Sequence, residues 1–120
     1  MTFKKFSTLP IPSIFSTFLI AEIGLNHNGD LDLCLEMVKE AAKSGASMIK
    51  LQKRDIYQLM TKEQLDQDFI KVPTFGCTQR EVRLKNEFNF EEYKKVFQYA
   101  ESLGMIPFAT AFDLKSLNFL

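Results

Sequence analysis

The sequence predicts an α/β fold of parallel strands with covering helices, and three observations predict it. Residues 18–24 (FLIAEIG) and 105–112 (MIPFATAF) are almost continuously apolar, the pattern of strands buried on both faces. Two apolar stripes at three- and four-residue steps mark helices, each closed by a glycine. Strand and helix alternate with short joints, which is the βαβ unit of a parallel sheet with a crossover. The chain has 120 residues, whereas a closed barrel of eight βα units takes about 250 residues, so it can hold only the opening of one.

Composition narrows the function classes. Lys and Arg number 15 against 15 Asp and Glu, which argues against binding nucleic acid by phosphate neutralisation and against a polybasic membrane-surface module. A hydrophobic fraction of 46% fits a globular domain. Cys34 and Cys77 form no C-x-x-C pair, and Cys34 falls on an apolar helix face as a small buried hydrophobe. Lys4 and Lys5 precede a moderately apolar stretch, but Pro10, Pro12, Ser13, Ser16 and Thr17 break it. Residues 1–17 therefore read as a short extension feeding a buried strand rather than a secretory leader, and the protein as cytoplasmic.

The first strand, 18–24, ends at Gly24 and runs into the polar turn Asn26-His27-Asn28-Gly29. Asp30 caps a helix whose stripe is Leu31, Cys34, Leu35, Val38, Ala41 and Ala42, ended by Gly45. Residues 47–54 (SMIKLQKR) are the second strand. The stretch 55–87, with Pro73 and Gly76, is polar and shows only a short helical hint at 61–67. A connection of that length at the C-terminal end of a strand is where α/β enzymes place active-site loops. Asn89 with Glu92 opens a second helix, with Phe90, Tyr93, Val96, Phe97, Ala100 and Leu103 on its inner face and Gly104 after it. After the third strand, Asp113 caps a further helix with Leu117 and Leu120 on one face. The sequence stops inside that helix.

Strand alternation selects four polar residues. Lys50 and Gln52 share one face of the second strand with Met48, while Ile49 and Leu51 take the other. Glu22 interrupts an apolar strand on the face of Ile20 and Gly24, and Thr110 lies in phase with Phe108 and Phe112. Together they offer an ammonium, an amide, a carboxylate and a hydroxyl to a small anionic substrate. Lys50 would be the counter-charge, Gln52 and Thr110 hydrogen-bond partners, and Glu22 the acid, base or hydroxyl acceptor. Residue pattern alone is equally compatible with Glu22 and Lys50 forming an ion pair between neighbouring strands. His27, the single histidine, reads as a structural hydrogen-bonding residue of the turn rather than a metal ligand. The turn from Asn26 to Gly29 also offers backbone amides to an anion. No phosphate loop or dinucleotide fingerprint is present.

These residues carry a resemblance. Ile20-Ala-Glu-Ile-Gly-Leu-Asn-His-Asn-Gly29 resembles the opening signature of the sialic acid synthase family, the N-acetylneuraminate synthases and their relatives. Lys50-Leu-Gln52 is similar to that family's second-strand element, Phe75-Gly76-x-Thr78 with Glu81 and Glu87-Phe88 to its loop, and Phe108-Ala-Thr-Ala-Phe-Asp113 to its third strand. The resemblance spans residues 18–120 and implies the first three or so βα units of a (β/α)8 TIM barrel. It implies condensation of phosphoenolpyruvate with an N-acyl hexosamine such as N-acetylmannosamine, giving a nine-carbon 2-keto sugar acid and phosphate, with a divalent metal (Mn or Mg) and a homodimeric complete enzyme. By the same resemblance Lys50 and Thr110 contact phosphoenolpyruvate, Gln52 lies near the acceptor sugar and Glu22 near the reacting centre. Related branches read T-Y-G-E-H-[KR] where this chain has Thr78-Gln-Arg-Glu-Val-Arg83, which leaves the acceptor contacts of that loop open. The family's metal-binding histidines and later phosphate contacts lie beyond the third strand, so the resemblance implies no metal ligand here and no turnover by these 120 residues alone. Legionaminate and pseudaminate synthases are the close alternatives, a 3-deoxy-heptulosonate-type enzyme fits the turn less well, and a non-catalytic α/β binding module is the alternative of another class.

Overall fold

The computed structural model describes residues 17–69 and 78–120. Nearly all of the 1–17 extension, and the expectations placed on Pro73, Phe75, Gly76 and Cys77, lie outside the described residues. Three parallel strands form one sheet in the order β1 (Ile20–Gly24), β2 (Met48–Lys53), β3 (Ile106–Ala111). Each strand is a residue or two shorter than its apolar run. The chain has the α/β fold of the opening units of a (β/α)8 barrel.

The crossovers supply the covering layer. Helix α1 (Leu31–Lys43) starts where the Asp30 side chain accepts from Leu33 N, and Gly45 leaves it with φ of 84°. The expected stripe packs inward: Cys34 and Val38 are fully buried, and Leu31, Leu35, Ala41 and Ala42 lie against them. Burial in this apolar layer raises the Cys34 thiol to about 12, so it remains a neutral packing group. The second long helix, Phe90–Ser102, packs beside α1 on the same sheet face through Tyr93, Val96, Phe97 and Ala100. Its capping box of Asn89 and Glu92 is formed at both hydrogen bonds. The two ends of the expected stripe, Phe90 and Leu103, stay exposed. Ile49 and Leu51 fill the space between sheet and helices; fully burying such a side chain contributes about 1.5–3 kcal/mol.

Two expectations are corrected. The 55–87 connection holds three short helices: α2 (Ile56–Leu59), α3 (Lys62–Leu65) at the expected hint, and α4 (Gln79–Lys85). Helix α4 has only Val82 buried, so it lacks an apolar stripe; its capping box of Thr78 and Glu81 starts it. The Phe90–Ser102 helix is therefore α5, and the last is α6 (Leu114–Phe119). In α6 the inner face is Ser116, Phe119 and Leu120, whereas Leu117 is 60% exposed. Asp113 sets this rotation, because its carboxylate accepts from both Ser116 N and Ser116 Oγ and turns that residue inward. Among the described residues no helix is long and apolar enough to cross a membrane.

Candidate active site at the strand ends

The four residues selected by alternation share one sheet face, on the side opposite α1 and α5. Register places Glu22 beside Lys50 and Lys50 beside Phe108, and one pleat further along it places Gln52 beside Thr110. Glu22, Thr110 and Phe112 are exposed there, so the C-terminal half of this face is accessible. Lys50 Nζ donates to Glu22 Oε1 at 2.8 Å, with side-chain exposures of 25% and 65%. The strand-to-strand ion pair and the polar site are thus the same structure: the pair is formed, and its carboxylate end faces solvent.

The end of β1 is irregular in a way that shapes this site. Pairing slips by one residue between Glu22 and Gly24, so that Gly24 lies opposite Leu51. Gly24 has φ of 58°, a conformation side chains disfavour. A methyl group built on it would sit 3.6 Å from Gln52 Nε2. The Gln52 amide therefore lies over bare glycine backbone. The Gln52 main chain is held from the other side, where Tyr93 Oη donates to its carbonyl at 2.6 Å.

The Asn26–Gly29 turn supports this end rather than offering an anion cradle, which corrects the expectation. Three of its four amides are committed: Asn26 N to Ile23 O, Asn28 N to Leu25 O, and Gly29 N to His27 Nδ1 at 3.1 Å. The Asn26 side chain also donates to Ile23 O. His27 is 2% exposed and stacks on Phe88 with ring centroids 4.1 Å apart. Because Nδ1 accepts from Gly29, the ring proton sits on the other nitrogen, which hydrogen-bonds the Gly24 backbone. Burial lowers the His27 pKa, outweighing the nearby Glu87, Glu92 and Asp30, and keeps the ring neutral. The structural reading of His27 holds. Among the described residues no three His, Cys, Asp or Glu side chains gather to hold a metal.

On the helix side of β2 lies a cluster that sequence reading missed. Glu87 accepts from Lys53 Nζ at 3.2 Å and from Arg54 Nε at 3.0 Å, and Lys53 also donates to Phe88 O. All three charged side chains are 11–13% exposed. Lys53 lies 4.6 Å from the Phe119 ring centroid. Nearby, Asp55 N donates to Asp113 Oδ2 at 2.7 Å, joining the exits of β2 and β3. Burial pushes the Asp113 carboxyl up, but hydrogen bonds from Asp55 and Ser116 outweigh it and hold it below the usual carboxylate range.

Known proteins share this fold. The NeuB family profile matches residues 37–120. The chain is 33% identical over 103 residues to the Homo sapiens N-acetylneuraminate-9-phosphate synthase, covering 86% of this chain and 29% of that protein. It is 37% identical over 113 residues to the Legionella pneumophila N,N'-diacetyllegionaminic acid synthase, covering 92% and 32%. Among solved structures it superposes with TM-score 0.66 and 32% identity on the N-acetylneuraminic acid synthetase of Leptospira borgpetersenii in complex with citrate, covering 86% of this chain and 32% of that one. The chain thus spans about three-tenths of the length of these relatives.

Proposed function

From the premise that this chain belongs to the NeuB family of sugar-acid synthases, we propose that it carries the first strands of a phosphoenolpyruvate-dependent N-acetylneuraminate synthase. The observation that supports this most is the in-register placement of Glu22 with Lys50 and of Gln52 with Thr110 on the accessible sheet face. In the proposed reaction C3 of phosphoenolpyruvate bonds to the aldehyde carbon of an open-chain N-acyl hexosamine such as N-acetylmannosamine. Water adds at C2, and the C2–O bond breaks so that phosphate leaves with the bridging oxygen.

The side chains divide that work by their chemistry. Lys50 supplies positive charge to the anionic substrate and Thr110 a hydroxyl beside it. Glu22, whose carboxylate end faces solvent, is the acid, base or hydroxyl acceptor, placed for an acceptor-sugar hydroxyl. Gln52 presents its amide to the sugar. Asn26 and His27 support the turn. The Mn or Mg expected of the complete enzyme takes its ligands from outside these residues. The complete enzyme is proposed to be a cytoplasmic homodimer, and the 120 residues alone to lack turnover.

The test is phosphate release by the product of the complete reading frame that encodes these residues, supplied with phosphoenolpyruvate, N-acetylmannosamine and Mn. Lys50→Ala is expected to raise the phosphoenolpyruvate KM at least about tenfold, the loss of one charge-assisted contact. Unchanged phosphoenolpyruvate kinetics would remove Lys50 from the site. The 37% identity to the Legionella synthase favours, as a second reading, the acceptor of N,N'-diacetyllegionaminic acid synthesis; turnover with that sugar and none with N-acetylmannosamine would select it.

A further inference from the structure

We propose that Gly24 and His27 are positioning residues that fix where the Gln52 carboxamide meets the acceptor sugar. This rests on the reading of Gln52 as an acceptor contact and assigns the part that holds it. Three observations carry it. The one-residue slip at the end of β1 brings Gly24, rather than a side chain, under the Gln52 amide, with the nearest approach of a built methyl at 3.6 Å. A single ring links Gly24, φ 58°, to the turn that follows it: His27 takes the Gly29 amide on Nδ1 and has the Gly24 backbone as its other hydrogen-bond partner. That ring is itself immobilised by its stack on Phe88 at 4.1 Å and by near-complete burial. The Gln52 main chain is pinned separately by Tyr93, so the remaining freedom is in the side chain that lies over Gly24. His27 is thus too buried to touch substrate, yet one of its hydrogen bonds ends on the residue over which the amide lies.

The consequence is selective. Loosening the shelf should blur the acceptor contact and leave Lys50 and Thr110, one held by Glu22 and the other on β3, where they are. The experiment uses the product of the complete reading frame, with N-acetylmannosamine as the varied sugar. His27→Phe keeps a ring against Phe88 and removes both hydrogen bonds. The acceptor KM is expected to rise about tenfold, the scale of a sub-ångström misplacement, with the phosphoenolpyruvate KM unchanged. In a Gln52→Ala background the same substitution should add nothing, because the two act through one group. A rise in both KM values alike, or full additivity with Gln52→Ala, overturns the inference while leaving the site reading intact. If Gln52→Ala by itself leaves the acceptor KM unchanged, the site reading of Gln52 falls, and the inference with it. Should His27→Phe fail to fold, Gly24→Ala carries the same test through one methyl group, with the same expected and overturning results.

Discussion

Lys50 and Lys53 stand three residues apart on one strand, each bonded to a glutamate, and they differ in almost everything else. Lys50 has one partner, Glu22, whose side chain is 65% exposed. Lys53 is enclosed by Glu87, the Phe88 carbonyl and the Phe119 ring, and Glu87 binds Arg54 as well. Strand alternation separates them: Lys50 shares the open face with Gln52, and Lys53 points with Leu51 toward the helices. An exposed pair exchanges its partner for a ligand at little cost, whereas a buried one cannot part without stranding charge. The same residue types thus form an open pair on one face, where we propose the substrate contact, and a rivet on the other.

Removing the rivet should have the largest effect. Glu87→Ala leaves Lys53 and Arg54 facing each other with no carboxylate, and is expected to destabilise the fold by about 3–5 kcal/mol. Urea denaturation checks this; a loss below about 1 kcal/mol would put the cluster in the same class as the Glu22 pair.

Next comes the backbone contact that seats the loop beside that cluster. Gly29 has φ of 76°, and a methyl group built on it would lie only 1.8 Å from Lys85 O at the end of α4. Gly29→Ala should cost more than about 2 kcal/mol by strain and overlap, read by thermal denaturation.

The pH dependence is smaller and falls on the closed face. The folded-state pKa of His27 lies below 6.5, so the unfolded chain binds a proton that the folded one refuses. Stability should fall as pH drops below about 6.5, flatten once pH passes beneath the folded value, and decline again below 3.8 as Asp113 and Asp55 protonate. Chemical denaturation across pH 4–7 checks the first of these, and a flat profile there would mean His27 is not the neutral buried group described.

The smallest stability effect belongs to the open face. Glu22→Gln should change stability by less than about 1 kcal/mol while lowering condensation activity, a split that denaturation and phosphate release measure side by side. A large stability loss would make Glu22 a second rivet.

The contrast between the faces also explains what could be read from the sequence. Lys50 and Gln52 stood out because polar residues in a parallel strand break a local rule, and register needed only the period of two to bring Glu22 and Thr110 beside them. Glu87 broke no local rule, since its partners are 33 and 34 residues away. Helix α4 has no apolar period; its signal is a capping box, Thr78 and Glu81 at the same spacing as Asn89 and Glu92. Spacing points Leu117 inward, but hydrogen-bonded Ser116 takes that place. The shelf under Gln52 was illegible because it depends on a one-residue slip in pairing that no pattern announces.

The long connection between β2 and α5 is clasped where it leaves and where it returns: Asp113 takes the amide of Asp55, and Lys53 and Arg54 take the carboxylate of Glu87. Both clasps use residues of the barrel layer. What lies between them is therefore suited to exchange as a cassette. Grafting the corresponding segment of a relative between these two clasps, with Asp55, Glu87 and the close approach of Lys85 to Gly29 retained, offers a way to vary this connection without re-engineering the sheet.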